Sequence, residues 1–143
     1  MDSLQQPVKV TVYLQGNNFP VGFKRLQGAT RDMLSDLQAY SHRKLQFEFV
    51  DPLKGLSQEQ QNSTLQNLSD KGLTPQTWSF KTDDGVVQKV LVSSALVVSG
   101  GKEIAVNLLQ RRIGLSDDES INNSIQNLEY AFSSAIKKAT SGG

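Results

Sequence analysis

The chain has 143 residues, 15 basic and 14 acidic, a length that builds one domain and buries roughly two thirds of its unfolded surface. The charges balance in both halves, so no basic stripe marks a nucleic-acid footprint, and the lack of cysteine excludes disulfides, thiol nucleophiles and zinc-thiolate centres. The longest apolar run, "VLVSSALVV", has nine residues with two serines inside it, against about 20 for a bilayer span; neither a spanning helix nor a signal-peptide core is predicted.

In chain order, Val8, Val10, Val12 and Leu14 alternate with Lys9, Thr11 and Tyr13, a period of two that predicts a strand. The stretch "LQGNNFPVGFKRLQG" (14–28) then leads into a helical pattern. Phe23, Leu26, Thr30, Met33, Leu37 and Tyr40 recur at three and four residues on one face, with Lys24, Arg25, Arg31, Asp32 and Asp36 on the other. "LQFEFV" (45–50) alternates again and stops at the turn signal Asp51-Pro52. Ser57 with Gln60 forms a capping box, and Lys71-Gly72 is a helix stop, so 57–71 is a second helix. Its apolar side is thin, chiefly Leu65 and Leu68, which predicts an exposed helix.

"QTWSFK" and "VVQKVLV" flank a hairpin turn at 82–85. The second run continues through "SSALVVS" to Gly100-Gly101-Lys102, and "EIAVNLL" returns. Ser116 and Glu119 make a second capping box that opens the last helix. Ile121, Ile125, Leu128, Phe132 and Ile136 form its buried stripe, and Lys137-Lys138 complement the negative end of the helix dipole. The order β-α-β-α-β-β-β-α predicts an α/β, thioredoxin-like mixed sheet flanked by helices, its first two strands parallel and the rest an antiparallel meander. A flavodoxin-like sheet is the alternative, although it needs more helices between the later strands. The domain occupies 7–139, between a disordered N-terminal 1–6 and a flexible tail at 140–143; ragged ends suggest a piece of a longer protein.

A thioredoxin-like fold brings the loop after the first strand and the start of the third strand to one pole. Here that pole would gather Asn17, Asn18, Phe19, Pro20, Asp51, Thr74 and Pro75. Thioredoxins carry Cys-x-x-Cys there; this chain carries Asn-Asn-Phe-Pro, and thiol redox chemistry is excluded. The single histidine, His42, is expected at the opposite pole, too far away for a Ser-His-Asp set. Asp83-Asp84 precedes Gly85 as turn chemistry, and Asp117-Asp118-Glu119 complements a helix start; both are preferred to metal binding. "SGGK" lacks the phosphate-loop spacing, and the Asn-x-Ser/Thr matches at Asn62, Asn67 and Asn122 fall within predicted helices. Trp78 is assigned to the core rather than to a binding platform. Phe19-Pro20 is a hydrophobic staple for the first helix or an exposed aromatic for a partner.

The ordered set "VKVTVYLQGNNFPVGFKRLQGATRDMLSDLQAYS", "LQFEFVDP", "GLTPQTWSFKTDDG", "GGKEIAVNLL" and "INNSIQNLEYAFSSAIKKA" resembles GldG, a family of auxiliary proteins of bacterial ABC transporters linked to gliding motility, from about residue 7 to residue 139. The resemblance implies a non-catalytic extracytoplasmic, periplasmic domain, tethered to the membrane in its full-length parent. Its implied partners are the transporter's permease and ATPase subunits, with no cofactor and no catalytic residues to carry over. The candidate partner surface is Asn17 to Pro20 with Asp51, Thr74 and Pro75. The alternative function is small-ligand capture in a transport system, using Asn17, Asn18 and Trp78; a cryptic enzyme is the third reading.

Overall fold

Among the described residues, nine elements follow one another: β1 (Val8–Val12), α1 (Val21–Tyr40), β2 (Leu45–Phe49), α2 (Gln58–Asp70), β3 (Pro75–Thr82), β4 (Gly85–Val92), β5 (Ser94–Ser99), β6 (Lys102–Asn107) and α3 (Asp117–Thr140). This computed structural model describes residues 6–15, 21–73, 75–110 and 113–140. β2, β1, β5 and β6 lie side by side in that order as one sheet, and β3 pairs with β4 in a separate ribbon. β1 runs parallel to β2, with Val10 opposite Phe47, and antiparallel to β5, with Val10 opposite Val97. β5 and β6 are antiparallel across the turn at Gly100 and Gly101, both of which have positive φ. The mixed α/β class is the expected one. An antiparallel β5 inside the main sheet is incompatible with the all-parallel flavodoxin-like alternative.

The strand count differs from the sequence expectation. The long run from 86 to 99 is two strands, because the chain leaves the ribbon after Val92 and enters the main sheet at Ser94. The meander is therefore divided between two sheets. Once the β3–β4 ribbon is set aside as an insertion, the order β2-β1-β5-β6 agrees with the thioredoxin-like expectation.

Alternation along the strands feeds two cores. On one sheet face, Val8, Val10, Val12, Leu45, Ala95, Val97 and Val106 pack against Phe23, Leu26, Leu34 and Leu37 of α1 and Ile121, Leu128, Phe132 and Ile136 of α3. Leu34, absent from the predicted stripe, is fully buried, whereas Tyr40, included in it, is exposed. The cause is phase: the α1 face runs 23, 26, 30, 34, 37, which is nearer to 3.6 residues per turn than a stripe through 33 and 40. On the other face, Leu96 and Val92 meet Leu68 and Leu73, with Leu65, Tyr13, Val98 and Ala105 around them. α2 thus covers only the β5–β6 side. The β1–β2 side stays polar, and Lys9 and Glu48 form an exposed ion pair of 3.3 Å there.

Both predicted capping boxes form. Ser57 Oγ accepts from Gln60 N at 3.2 Å while Ser57 N donates to Gln60 Oε1 at 3.0 Å. Ser116 Oγ accepts from Glu119 N at 3.1 Å, and Ser116 N donates to Glu119 Oε1 at 3.0 Å. Each box satisfies two of the N–H groups that a helix start leaves open.

Candidate functional site

The C-terminal ends of β1, β2 and β6 and the N-terminal end of β5 meet at one end of the sheet. Three backbone bonds tie them: Val50 N donates to Val12 O at 2.9 Å, Tyr13 N to Ser94 O at 2.9 Å, and Leu108 N to Ser93 O at 2.8 Å. The ribbon arrives at the same end, because Pro75 pairs with Val92, one residue before Ser93. This meeting of strand ends around Ser93 leaves a cavity of about 160 Å³ lined by Gln76, Ser93, Ser94, Asn107, Leu109 and Gln110. A wider groove of about 320 Å³ shares Gln110 and continues along α3 past Asn123, Ser124, Gln126 and Asn127.

Two polar atoms at the cavity are buried without a hydrogen-bond partner among the described residues: the Ser93 hydroxyl oxygen and Gln76 Oε1. Ser93 is only 3% exposed. Such groups carry a desolvation cost of about 1–3 kcal/mol each when left unpaired, so they mark where a polar molecule fits. Their neighbours are fixed. Ser94 Oγ donates to Asn107 Oδ1 at 3.0 Å, and Ser124 Oγ accepts from Gln110 N at 2.9 Å, which anchors the β6–α3 connection to α3. Every described lining residue of both spaces is uncharged.

Of the predicted surface, Asn17, Asn18, Phe19, Pro20 and Thr74 lie outside the described residues. Asp51 stands at the expected end but on the far side of β1 from the cavity. Its Oδ1 accepts from Leu53 N at 3.1 Å, the bond of an Asx turn. Pro75 opens β3 beside the cavity and does not line it. The strand that enters the main sheet third in sequence is β5, so the place assigned to Thr74-Pro75 by the fold expectation belongs to Ser93-Ser94. Trp78 is 5% exposed and packs edge-on against Phe23 with ring centroids 4.7 Å apart. It is a core residue and offers no face for stacking, as the preferred sequence reading held.

His42 lies in the turn after α1 with φ 54°, at the other end of the sheet. Asp83 and Asp84 form the β3–β4 turn, and Asp117 to Glu119 the first turn of α3. Among the described residues, no three His, Asp or Glu side chains gather as a metal site. The Glu119 carboxyl is held below its ordinary value by the bonds from the Ser116 backbone and hydroxyl. The arrangement at the cavity can pair hydrogen bonds with a neutral molecule. Its residues were not singled out from the sequence, although the signal was there: paired serines interrupting an apolar run.

A family model described as a domain of unknown function, DUF7088, matches residues 1–98. The chain belongs to this family. The DUF7088 span runs from the start of the chain through β1, α1, β2, α2 and the ribbon, and ends one residue short of the end of β5. It therefore includes Gln76, Ser93 and Ser94, while Asn107, Gln110 and the α3 side of the groove follow it. Searches among curated proteins and among solved structures returned no match. No described helix is long and apolar enough to cross a membrane.

Proposed function

We propose that this chain is a non-catalytic interaction domain of a GldG-type auxiliary component of an ABC transporter, acting on the periplasmic side of the membrane beside the permease and ATPase subunits. The observation that carries the reading is the character of the sheet end described above. Its described concave lining is uncharged and mostly polar, exposed Val21 opens α1, and exposed Ile113 lies in the connection from β6 to α3. Depletion of charge together with exposed apolar side chains is a compositional feature of protein–protein contact surfaces. The ordered sequence resemblance to the GldG family supports the choice of partner, and the predicted surface from Asn17 to Pro20 lies immediately before Val21. Coupling to ATP hydrolysis belongs to another subunit, and this domain contributes rigid presentation of one surface.

The test is crosslinking and affinity capture from envelope membranes with the domain in its native protein context. Permease and ATPase subunits are expected in the captured material from the unaltered chain. Val21→Asp with Ile113→Asp should reduce their recovery, while leaving the melting temperature unchanged because both side chains are exposed. Capture that lacks both subunits, or that is indifferent to the double substitution, removes the proposal's support.

A further inference from the structure

The cavity at the β3–β5–β6 junction has chemistry of its own, independent of any transporter partner. Its volume of about 160 Å³ compares with the roughly 150 Å³ engineered cavity that accepts benzene, so it holds one six-membered ring. At about 30 Å³ per water molecule, the same space would take around five waters. An apolar ring is excluded by the walls, because it would leave Ser93 Oγ and Gln76 Oε1 buried and unpaired. Among the described lining residues a charged group meets no counter-charge, since each of them is neutral.

The described lining side chains are amides and hydroxyls apart from Leu109. Gln76 Oε1 needs a donor, and the Ser93 hydroxyl can both give and accept. Ser94 and Asn107, already bonded to each other, keep further donor and acceptor capacity at the mouth. A ring bearing several hydroxyls, each of them donor and acceptor at once, meets all of these demands. We propose that the cavity bounded by Gln76, Ser93, Ser94 and Asn107 binds the terminal pyranose ring of a neutral saccharide. The adjoining groove past Gln110, Asn123 and Asn127, again uncharged and about 320 Å³, takes the next unit of the chain.

Glucose, galactose and N-acetylglucosamine are the probes, with glucuronate as the charged control, titrated into the isotopically labelled chain and followed by amide NMR. At least one neutral sugar should shift the Ser93, Ser94 and Asn107 resonances saturably and raise the melting temperature, as a ligand of the folded state does. Glucuronate should bind more weakly. Ser93→Ala should weaken sugar binding about tenfold, as the loss of one buried hydrogen bond does. The sugar-free variant should melt at or above the parent's temperature, because an unpaired hydroxyl has been removed. Asn107→Ala, at the exposed rim, should weaken binding without altering the fold. The inference is overturned if no neutral sugar perturbs those resonances, if glucuronate binds as tightly, or if Ser93→Ala leaves sugar binding unchanged. Long-lived water detected at Ser93 that no sugar displaces overturns it too.

Discussion

Gly22 and Gly28 occupy the same helix and meet different surroundings. A Cβ at Gly28 would have nothing within 4 Å, whereas one at Gly22 would lie 2.5 Å from Ile121 Cδ1, where α1 approaches α3. Gly28→Ala should therefore stabilise the protein by about 0.5–1 kcal/mol, the helix-propensity difference between the two residues. Gly22→Ala gains the same propensity but forces a buried isoleucine out of place, and overpacking costs about 1–3 kcal/mol; it should be net destabilising. Denaturant unfolding of the two variants checks the opposite signs. Ile121→Val in the Gly22→Ala background should recover part of the loss, because it removes the methyl that collides. Equal shifts in the two variants would mean that the α1–α3 approach is looser than the structure has it. Arg25, which donates to Asn122 Oδ1 one turn further along, holds the same pair of helices together from the surface.

At the scale of elements, two capping boxes of the same form differ in one chemical respect. The box that opens α2 uses the neutral Gln60, and the box that opens α3 uses the titratable Glu119. The Glu119 carboxyl is held below its ordinary value, first by the bond from the Ser116 backbone and then by the Ser116 hydroxyl. A depressed folded-state value means that its contribution is fully present above the unfolded carboxyl range and is lost as the pH falls through the folded value. Glu119→Gln should thus melt lower than the parent at neutral pH and lose this difference in acid, with Gln60 showing that an amide sustains the geometry. Melting curves across the acid range decide it, and a gap independent of pH would refute the assignment.

The same elements show what the sequence could say. Helix starts were legible because a capping box is local: four residues contain the signal and the bonds. The division of 86–99 into β4 and β5 was not, since alternation describes one strand's exposure and not which sheet it joins. The cavity residues were hidden for the same reason. Gln76 comes from β3, Ser93 from the link between β4 and β5, and Asn107 from β6, and only the change of sheet at Ser93 brings them together. Asp51 and Pro75, two of the residues expected at the pole, stand at the same end of the sheet as the cavity, because parallel pairing of β1 with β2 settles which loops share a side.

Across the whole molecule, burial is unevenly divided between the two faces of the sheet. The α1–α3 face holds the large cluster around the fully buried Phe132, Leu26 and Val10. The α2 face rests on the small cluster of Leu68, Leu73, Val92 and Leu96. Segments that bury few apolar side chains open locally at a lower free energy than the global unfolding reaction. Hydrogen exchange should accordingly find the α2 amides less protected than those of β1, β5 and α3. Phe132→Ala should cost about 3–5 kcal/mol, a large part of a domain's usual 5–15 kcal/mol, and speed exchange in every element. Leu68→Ala should speed exchange in α2 first and change the global melting temperature less than Phe132→Ala does, because the sheet and the α1–α3 core remain closed when α2 detaches. Protection of α2 equal to that of β1, falling in step with it in both variants, would show instead that the two faces unfold as one unit. The ligand cavity draws its walls from β3, β5 and β6, whose β5–β6 pair is shared by both cores. Opening of α2 therefore leaves the cavity's floor at Ser93 held by the main sheet, and binding there should survive Leu68→Ala.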